Sequence, residues 1–353
     1  MRRLDVALVA PLVSPLCAAT PYGNHSIIGD LASGLASRGH AVSVYCAEGS
    51  DAIDGARVVE IAVEREARRA FALLDPDRAP LPAMRRAFEA LFARLREAGH
   101  DAVSQHAFDA EAIELAEGLP VLHTLHLPPM VGAVLDAARR TSAALATVSL
   151  AMQRAWVDAG VPTIVLPNGV PDRDASSDQP RPIALIAGRI SPEKGTASAI
   201  RLARRSGLRP LVVGEPYDPA YHESSVRPLL RRGELRAPVP RGELASLMAR
   251  SAVTLCPIRW DEPFGLVAAE AQVVGCPVVA YRRGAMAEVV EDGVSGILVP
   301  PDDEDIFVAG IRRALGLRRA RVRQSARRRL LLGPVIDAYE RQLHEVARRR
   351  VAA

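Results

Sequence analysis

Short apolar runs alternate along the chain with longer segments whose apolar residues recur every three to four positions. Runs of four to seven apolar residues bounded by turn formers read as buried strands, and the longer periodic stretches read as helices. In the first half the strand-like runs are 5–11 (DVALVAP), 41–47 (AVSVYCA), 57–63 (RVVEIAV), 101–106 (DAVSQH), 121–126 (VLHTLH), 144–149 (ALATVS) and 163–167 (TIVLP). Helical periodicity falls at 26–38, 83–98, 109–117 and 151–159. A second set of strands follows at 183–188, 210–215, 253–258, 277–281 and 296–299. Its helices cover 194–206, 220–232, 242–250, 264–275 and 303–315, with a last one over 334–350. Such alternation is the signature of βα units on a parallel sheet.

Between the two sets lies PDRDASSDQPRP (171–182), polar, proline-rich and aperiodic, which reads as a linker. The expected architecture is α/β: two Rossmann-like, doubly wound domains facing each other across a deep cleft. The first covers residues 1–172, the linker 173–182, the second 183–332, and a C-terminal helix at 333–353 crosses back to the first domain. In such sheets ligands bind at the carboxyl ends of strands, so the chemistry is sought in the strand-to-helix loops.

Composition narrows the class. The chain has 353 residues, 49% hydrophobic and 24% charged, an ordinary globular balance that excludes disorder, collagen-like repeats and coiled coils. Cys17, Cys46, Cys256 and Cys276 are scattered without a CxxC, so they read as thiols in a reducing compartment rather than a disulfide or zinc framework. The start, MRRLDVALVAPLVSPLCAAT, has the basic and apolar flavour of a leader, but Asp5, Pro11 and Pro15 interrupt it and DVALVAP reads better as a first strand. No uncharged apolar run reaches the length of a membrane span. The expectation is a cytoplasmic protein.

Charge is uneven. Residues 312–350 hold 13 Arg against 3 acidic residues, a local +10, which leaves −6 for the rest of a chain whose total is +4. Only Tyr339 interleaves these arginines, whereas single-stranded nucleic acid needs stacking platforms, so no nucleic-acid partner is expected. A solvated helix face is the simpler reading, with peripheral docking on an anionic membrane surface left open. More telling, Lys194 is the sole lysine among 45 basic residues. Lysine is a compact point charge and arginine a planar fork, so the exception marks a position where a point charge fits.

Two loops carry the strongest chemistry. EPFGLVAAEA (262–271) follows the strand VTLCPI, with Glu262 in the loop, Phe264-Gly265 opening a helix, and Glu270 eight residues on. If helical throughout, the two carboxylates lie at most about 12 Å apart, a span that suits the sugar and the ribose ends of a nucleotide-sugar. The N–H groups of Gly265, Leu266 and Val267 form a positive helix terminus able to meet a pyrophosphate between them. GRISPEKG (188–195) follows the strand IALIAG and sets Arg189 and Lys194 about a Ser-Pro turn. Two cations on one loop suit a diphosphate leaving group, whose charge they stabilise without a metal.

These segments, in this order, resemble the retaining glycosyltransferases of family 4, which have the GT-B fold, and the likeness extends over nearly the whole chain. RWDEPFGLV and YRRGAMAEVVEDGVSG are similar to one common bacterial branch. The resemblance implies that Arg189 and Lys194 bind the donor diphosphate, that Glu262 stands near the donor sugar, and that Glu270 meets the ribose hydroxyls. It also implies that His126, in HTLHLPP, contacts the donor sugar near the reacting carbon. Val239 would lie in a loop whose backbone reads the base, with Gly214 nearby and Gly23 in the first glycine-rich loop. That branch usually has Tyr-Gly-Gly, and here the run is Tyr22-Gly23-Asn24-His25-Ser26, which adds a side chain at the acceptor edge. Asn24, His25 and His106 are the acceptor-side candidates.

The expectation is therefore a metal-independent, cofactor-free retaining transfer of a sugar from a nucleotide-sugar, UDP-sugar favoured, to an acceptor. Rivals are a nucleotide-sugar epimerase of the same fold and a non-catalytic two-lobed binding protein. Asp303 and Asp305 (PDDEDI) mimic a metal-binding DxD but sit where a helix start favours acids. The stripe Met84, Phe88, Leu91, Phe92 and Leu95 reads as core, with an acceptor groove or membrane contact as the alternative.

Overall fold

A computed structural model describes residues 2–17, 23–64 and 81–352; Tyr22 lies outside them. The chain forms two compact units. The first takes residues 2–17, 24–64, 81–167 and Gly333 onward, and the second takes Gly23 and Asn168–Leu332.

The first unit is built on seven parallel strands: β1 (Asp5–Val9), β2 (Ala41–Ala47), β3 (Arg57–Ile61), β4 (Ala102–Gln105), β5 (Val121–Leu125), β6 (Ala144–Thr147) and β7 (Ile164–Val165), in the order β3-β2-β1-β4-β5-β6-β7. The opening DVALV is thus a strand, with Ala7 flanked by Ser43 and Val103. Its unbroken apolar run follows from burial on both faces of a parallel sheet. The helices are α1 (Gly23–Ser37), α2 (Pro82–Ala98), α3 (Ala110–Glu114), α4 (Gly132–Arg140) and α5 (Leu150–Asp158). Proline opens α2 and Gly99, at φ 67°, closes it in the left-handed conformation, the usual asymmetry of helix ends. Met84, Phe88, Leu91, Phe92 and Leu95 all face inward from α2 and pack with Val9, Tyr45 and Val103. The stripe is core, and the acceptor-groove and membrane alternatives for it fall away.

The second unit has six parallel strands: β8 (Arg181–Ala187), β9 (Arg209–Val213), β10 (Leu235–Arg236), β11 (Ser251–Cys256), β12 (Val278–Tyr281) and β13 (Gly296–Val299), ordered β10-β9-β8-β11-β12-β13. Its helices are α6 (Thr196–Arg205), α7 (Arg241–Arg250), α8 (Leu266–Val273), α9 (Met286–Val289), α10 (Glu304–Ala314) and α11 (Arg319–Leu330). The single helix expected over 220–232 is instead a series of short turns from Pro219 to Leu229. Pro228 lies within it and cannot continue an α-helical ladder.

The last helix, α12 (Leu332–Ala352), packs in the first unit from Gly333 onward. Arg38 meets Asp337 at 2.6 Å and Glu340 at 2.8 Å, and the Tyr339 hydroxyl lies 3.2 Å from Thr124 Oγ1. Among the described residues, no helix is long and apolar enough to cross a membrane.

Candidate active site

In each sheet the strand order reverses beside the first strand of its unit, between β1 and β4 and between β8 and β11. Loops leaving two such neighbours run in opposite directions and open a crevice, the topological switch point of an open α/β sheet. In the second unit these are the loops after β8, carrying Arg189 and Lys194, and after β11, carrying Glu262.

Backbone contacts hold the two loops together. The Arg259 N–H donates to the Glu193 carbonyl at 2.8 Å. Gly195, at φ 69°, passes so close to β11 that an added Cβ would stand 2.2 Å from the Pro257 carbonyl oxygen, so only glycine fits. A Cβ on Gly214 would likewise meet the Gly188 carbonyl at 1.9 Å.

The side chains then converge. Lys194 Nζ donates to Glu262 Oε2 at 2.6 Å, and Trp260 Nε1 donates to the same oxygen at 2.7 Å. The ammonium also stands 5.3 Å from the centre of the Trp260 ring, within cation–π range. Arg189 donates to Glu193 at 2.8 Å and lies 4.9 Å from the Tyr217 ring centre. Burial pushes the Glu193 carboxyl up, but the Ser191 hydrogen bond and the charge of Arg189 outweigh it and hold the group below its ordinary range. Beneath the cluster, burial and then the charge of Glu262 push the Cys256 thiol up to about 12, so it is an inert neutral neighbour.

Phe264 is buried and Gly265, at φ 96°, caps α8 without a side-chain hydrogen bond. The helix terminus beginning Leu266-Val267 therefore stands next to the Lys194–Glu262 pair in sequence and fold. Glu270, further along α8, is held by Arg241 at 2.8 Å. Arg241 opens α7, two residues after the half-buried Val239. One ion pair thus links the carboxylate expected at the ribose to the loop expected at the base. Each candidate cation of this edge, Arg189 and Lys194, has a carboxylate partner, so an incoming anion exchanges partners rather than filling an uncompensated charge.

At the carboxyl edge of the first sheet, His106 follows β4 and His126 follows β5, with His106 Nδ1 2.9 Å from His126 Nε2. Burial holds His126 down at about 4; His106 is held well below its ordinary range by burial and by His126. Gly23 and Asn24 open α1, and His25 Nε2 lies 3.3 Å from Ser14 Oγ, with burial lowering this ring to about 4.

Sequence reasoning missed Trp260, Glu193, Tyr217, Arg241 and Gly284. Trp260 was the most accessible of them, since it stands two residues before Glu262 in the same motif. Gly284, at φ 52°, packs on the Glu262 backbone, and an added Cβ would lie 2.4 Å from both its N and O.

Two groupings resemble metal sites. The Asp303 carboxylate accepts the Ile306 N–H at 2.9 Å as the cap of α10, while Asp305, in the first turn, pairs with Arg205. His40, Glu340 and His344 bring ligand-type atoms within 4.8 Å of one another. However, His40 Nδ1 accepts the Leu4 N–H at 3.1 Å. The neutral ring therefore carries its proton on Nε2, facing Glu340 at 3.2 Å. The His40–Glu340 hydrogen bond staples α12 to the residue before β2, and the His344 ring packs edge-on against His40 with centroids 6.0 Å apart.

Comparison with known proteins bears on the family and the fold. The family described as "Glycosyl transferases group 1" matches residues 172–329, and that described as "Glycosyltransferase Family 4" matches residues 25–174. The chain is 36% identical over 159 residues to a D-inositol 3-phosphate glycosyltransferase of Acidothermus cellulolyticus, a stretch covering 40% of this chain and 35% of that protein. The alignment thus spans about a third of that relative's length. Among solved structures, sucrose-phosphate synthase from Thermosynechococcus elongatus superposes with a TM-score of 0.75 at 17% identity over 98% of this chain and 99% of that one. Anabaena HepE, solved in complex with UDP-glucose, gives 0.73 at 17% identity over 97% and 100%. The fold is that of the GT-B glycosyltransferases. With two adjoining family matches running from residue 25 to residue 329, two parallel sheets of this order and the paired loops of the second switch point, the chain belongs to glycosyltransferase family 4.

Proposed function

We propose that the protein transfers a glycosyl group, with retention and without a metal, from a nucleoside diphosphate sugar to an acceptor hydroxyl, and that the donor is a UDP-sugar. The observation that carries this reading is the meeting of Lys194 and Glu262, 68 residues apart in sequence, at 2.6 Å beside a helix terminus that no side chain caps. A point cation, a planar cation and a helix N-terminus suit a departing diphosphate. UDP is favoured because HepE was solved with UDP-glucose.

In this reading Arg189 and Lys194 leave their carboxylates for the diphosphate oxygens, and Glu270 accepts hydrogen bonds from the ribose. His126 meets the transferred sugar. The bond from the anomeric carbon to the leaving phosphate oxygen breaks as the acceptor oxygen bonds to the same face, and the acceptor's proton passes to the leaving phosphate. Front-face attack is adopted over a covalent Glu262 intermediate; once Lys194 turns to the diphosphate, the Trp260 N–H remains on Glu262 Oε2 and positions the carboxylate to stabilise the developing positive charge of the sugar. No cofactor enters the scheme.

A thermal-shift series with UDP-, GDP-, ADP- and TDP-sugars tests the donor. At a hundredfold excess over Kd the true donor adds about 2.7 kcal/mol, a shift of several degrees. Product analysis follows with acceptors that include D-inositol 3-phosphate, the acceptor in the relative's name. Turnover of donor alone would indicate an epimerase, and binding that survives Glu262→Ala without any wild-type transfer would indicate a binding protein. Lys194→Ala is expected to lower kcat by about a hundredfold, the usual effect of losing one charge-stabilising donor.

A further inference from the structure

The carboxyl edge of the first sheet holds a chain of three polar groups. Ser104 Oγ lies 2.9 Å from His106 Nε2, and His106 Nδ1 lies 2.9 Å from His126 Nε2. Ser104 and His106 are 0% exposed, while His126 keeps 7%. A neutral imidazole carries one N–H and one lone pair, and burial keeps both rings neutral at pH 7.

Two proton arrangements satisfy the two short contacts. In the first, the Ser104 hydroxyl donates to His106 Nε2, His106 Nδ1–H donates to His126 Nε2, and His126 carries its own proton on Nδ1. In the second every bond is reversed: His126 Nε2–H donates to His106, His106 Nε2–H donates to Ser104, and His126 Nδ1 is a bare lone pair. They are not equivalent. The Ser104 hydroxyl has no other partner among the described residues. The second arrangement therefore seals a hydroxyl hydrogen in the sheet with nothing to meet, and an unmet buried donor is costly. The first arrangement leaves no internal donor unmet. Its one unused N–H is His126 Nδ1, on the ring that retains exposure. The surroundings add no opposing charge: Phe108 stands edge-on to His126, and the Tyr339 ring lies 6.0 Å from His106.

We propose that Ser104 and His106 are positioning residues that fix His126 as the Nδ1–H tautomer, so that it offers a donor, and not an acceptor, to an oxygen of the bound sugar. The identity of that ligand rests on the glycosyl transfer proposed above; the tautomer does not.

The test uses the full chain with ¹⁵N-labelled histidine and long-range ¹H–¹⁵N correlation at pH 7. His126→Gln identifies the His126 signals among the eight histidines. The wild type should show His126 protonated at Nδ1 and bare at Nε2. His106→Phe removes the donor while keeping a ring, and should give averaged signals from both tautomers. In the same variant kcat should fall about tenfold, the effect of losing one oriented hydrogen bond, with UDP affinity unchanged. A wild-type His126 protonated at Nε2 overturns the proposal without needing any variant, and so does an unaltered tautomer in a folded His106→Phe protein. The expected tautomer in a protein that transfers no sugar would count against the glycosyl-transfer reading and leave the assignment standing.

Discussion

Gly284→Ala should disable the proposed glycosyl transfer through backbone displacement alone. Gly284 lies in the turn after β12, and an ideal Cβ there stands 2.4 Å from the Glu262 N and O and 2.7 Å from the Asp261 carbonyl carbon, where ordinary contact begins at 3.4 Å. Both neighbours are main chain, so the Glu262 loop or the turn must retreat by about 1 Å, and a misplacement of that size costs about a hundredfold in rate. The turn cannot move freely, because the Ala285 N–H donates to the Glu262 carbonyl at 2.8 Å. The left-handed φ of 52° adds about 1–2 kcal/mol of strain to the folded state. Gly293→Ala is the control: its φ is 74° but nothing lies within 4 Å of the added Cβ. It should lose about 1 kcal/mol of stability for the conformation alone and keep its rate. Steady-state kinetics with the donor and acceptor, beside urea unfolding of both variants, separate the effects. A Gly284→Ala kcat/KM within about threefold of wild type, well short of the hundredfold expected, would refute the reasoning, as would an equal loss in Gly293→Ala.

Trp260→Phe keeps a ring beside Lys194 but removes the Nε1–H that reaches Glu262; kcat should fall about tenfold, with donor Kd, read by titration calorimetry, nearly unchanged. His123 is fully buried in β5 with neither ring nitrogen partnered among the described residues, and burial lowers it to about 3. His123→Leu should therefore raise stability at pH 7 by about 1–2 kcal/mol, measured by urea unfolding. The unfolded chain takes up this proton near pH 6.5 while the folded chain refuses it down to about 3, so stability falls as pH drops through that window, by about 1.4 kcal/mol per pH unit from this residue. His123→Leu should flatten that dependence, and parallel slopes for the two proteins would contradict the assignment. Asp303→Ala should cost about 1 kcal/mol through loss of the α10 cap, visible as a lower Tm with kinetics unchanged.

The strands were legible because parallel sheets bury both faces. DVALV, AVSVYCA and VLHTL are nearly unbroken apolar runs, and each became a strand where the pattern put it. Helices were harder. Arginine dominates α11 and masks its apolar face, although Val322, Ala326 and Leu330 recur every four residues and all are buried. α4, GAVLDAARR, is only nine residues long and fully buries only Ala137 and Ala138, with Ala133, Val134 and Leu135 partly buried, so its apolar face is too short to stand out. The stretch at 220–232 has helical periodicity, but Pro228 outweighs it. Within the site, Lys194 and Glu262 stood out because their chemistry is local to short motifs. Gly284 did not, because the need for glycine there comes from Glu262 passing overhead, which spacing along one chain does not encode. Ser104 differs: strand spacing already puts it on the face of His106 two residues on, and what the spacing does not encode is the arrival of His126 from the neighbouring edge of β5.

The first unit is stitched from both ends of the chain, with α12 laid against β5 and α1 through Tyr339 and Ile336. During synthesis, therefore, Asn168–Leu332, which is the second unit but for Gly23 among the described residues, leaves the ribosome as one contiguous body while the earlier-made unit still awaits its closing helix. A scientist dissecting the molecule should excise that inner body as the separable piece. A fragment stopped at Pro167 would bare the seat of α12 and invite aggregation, whatever the quality of its sheet.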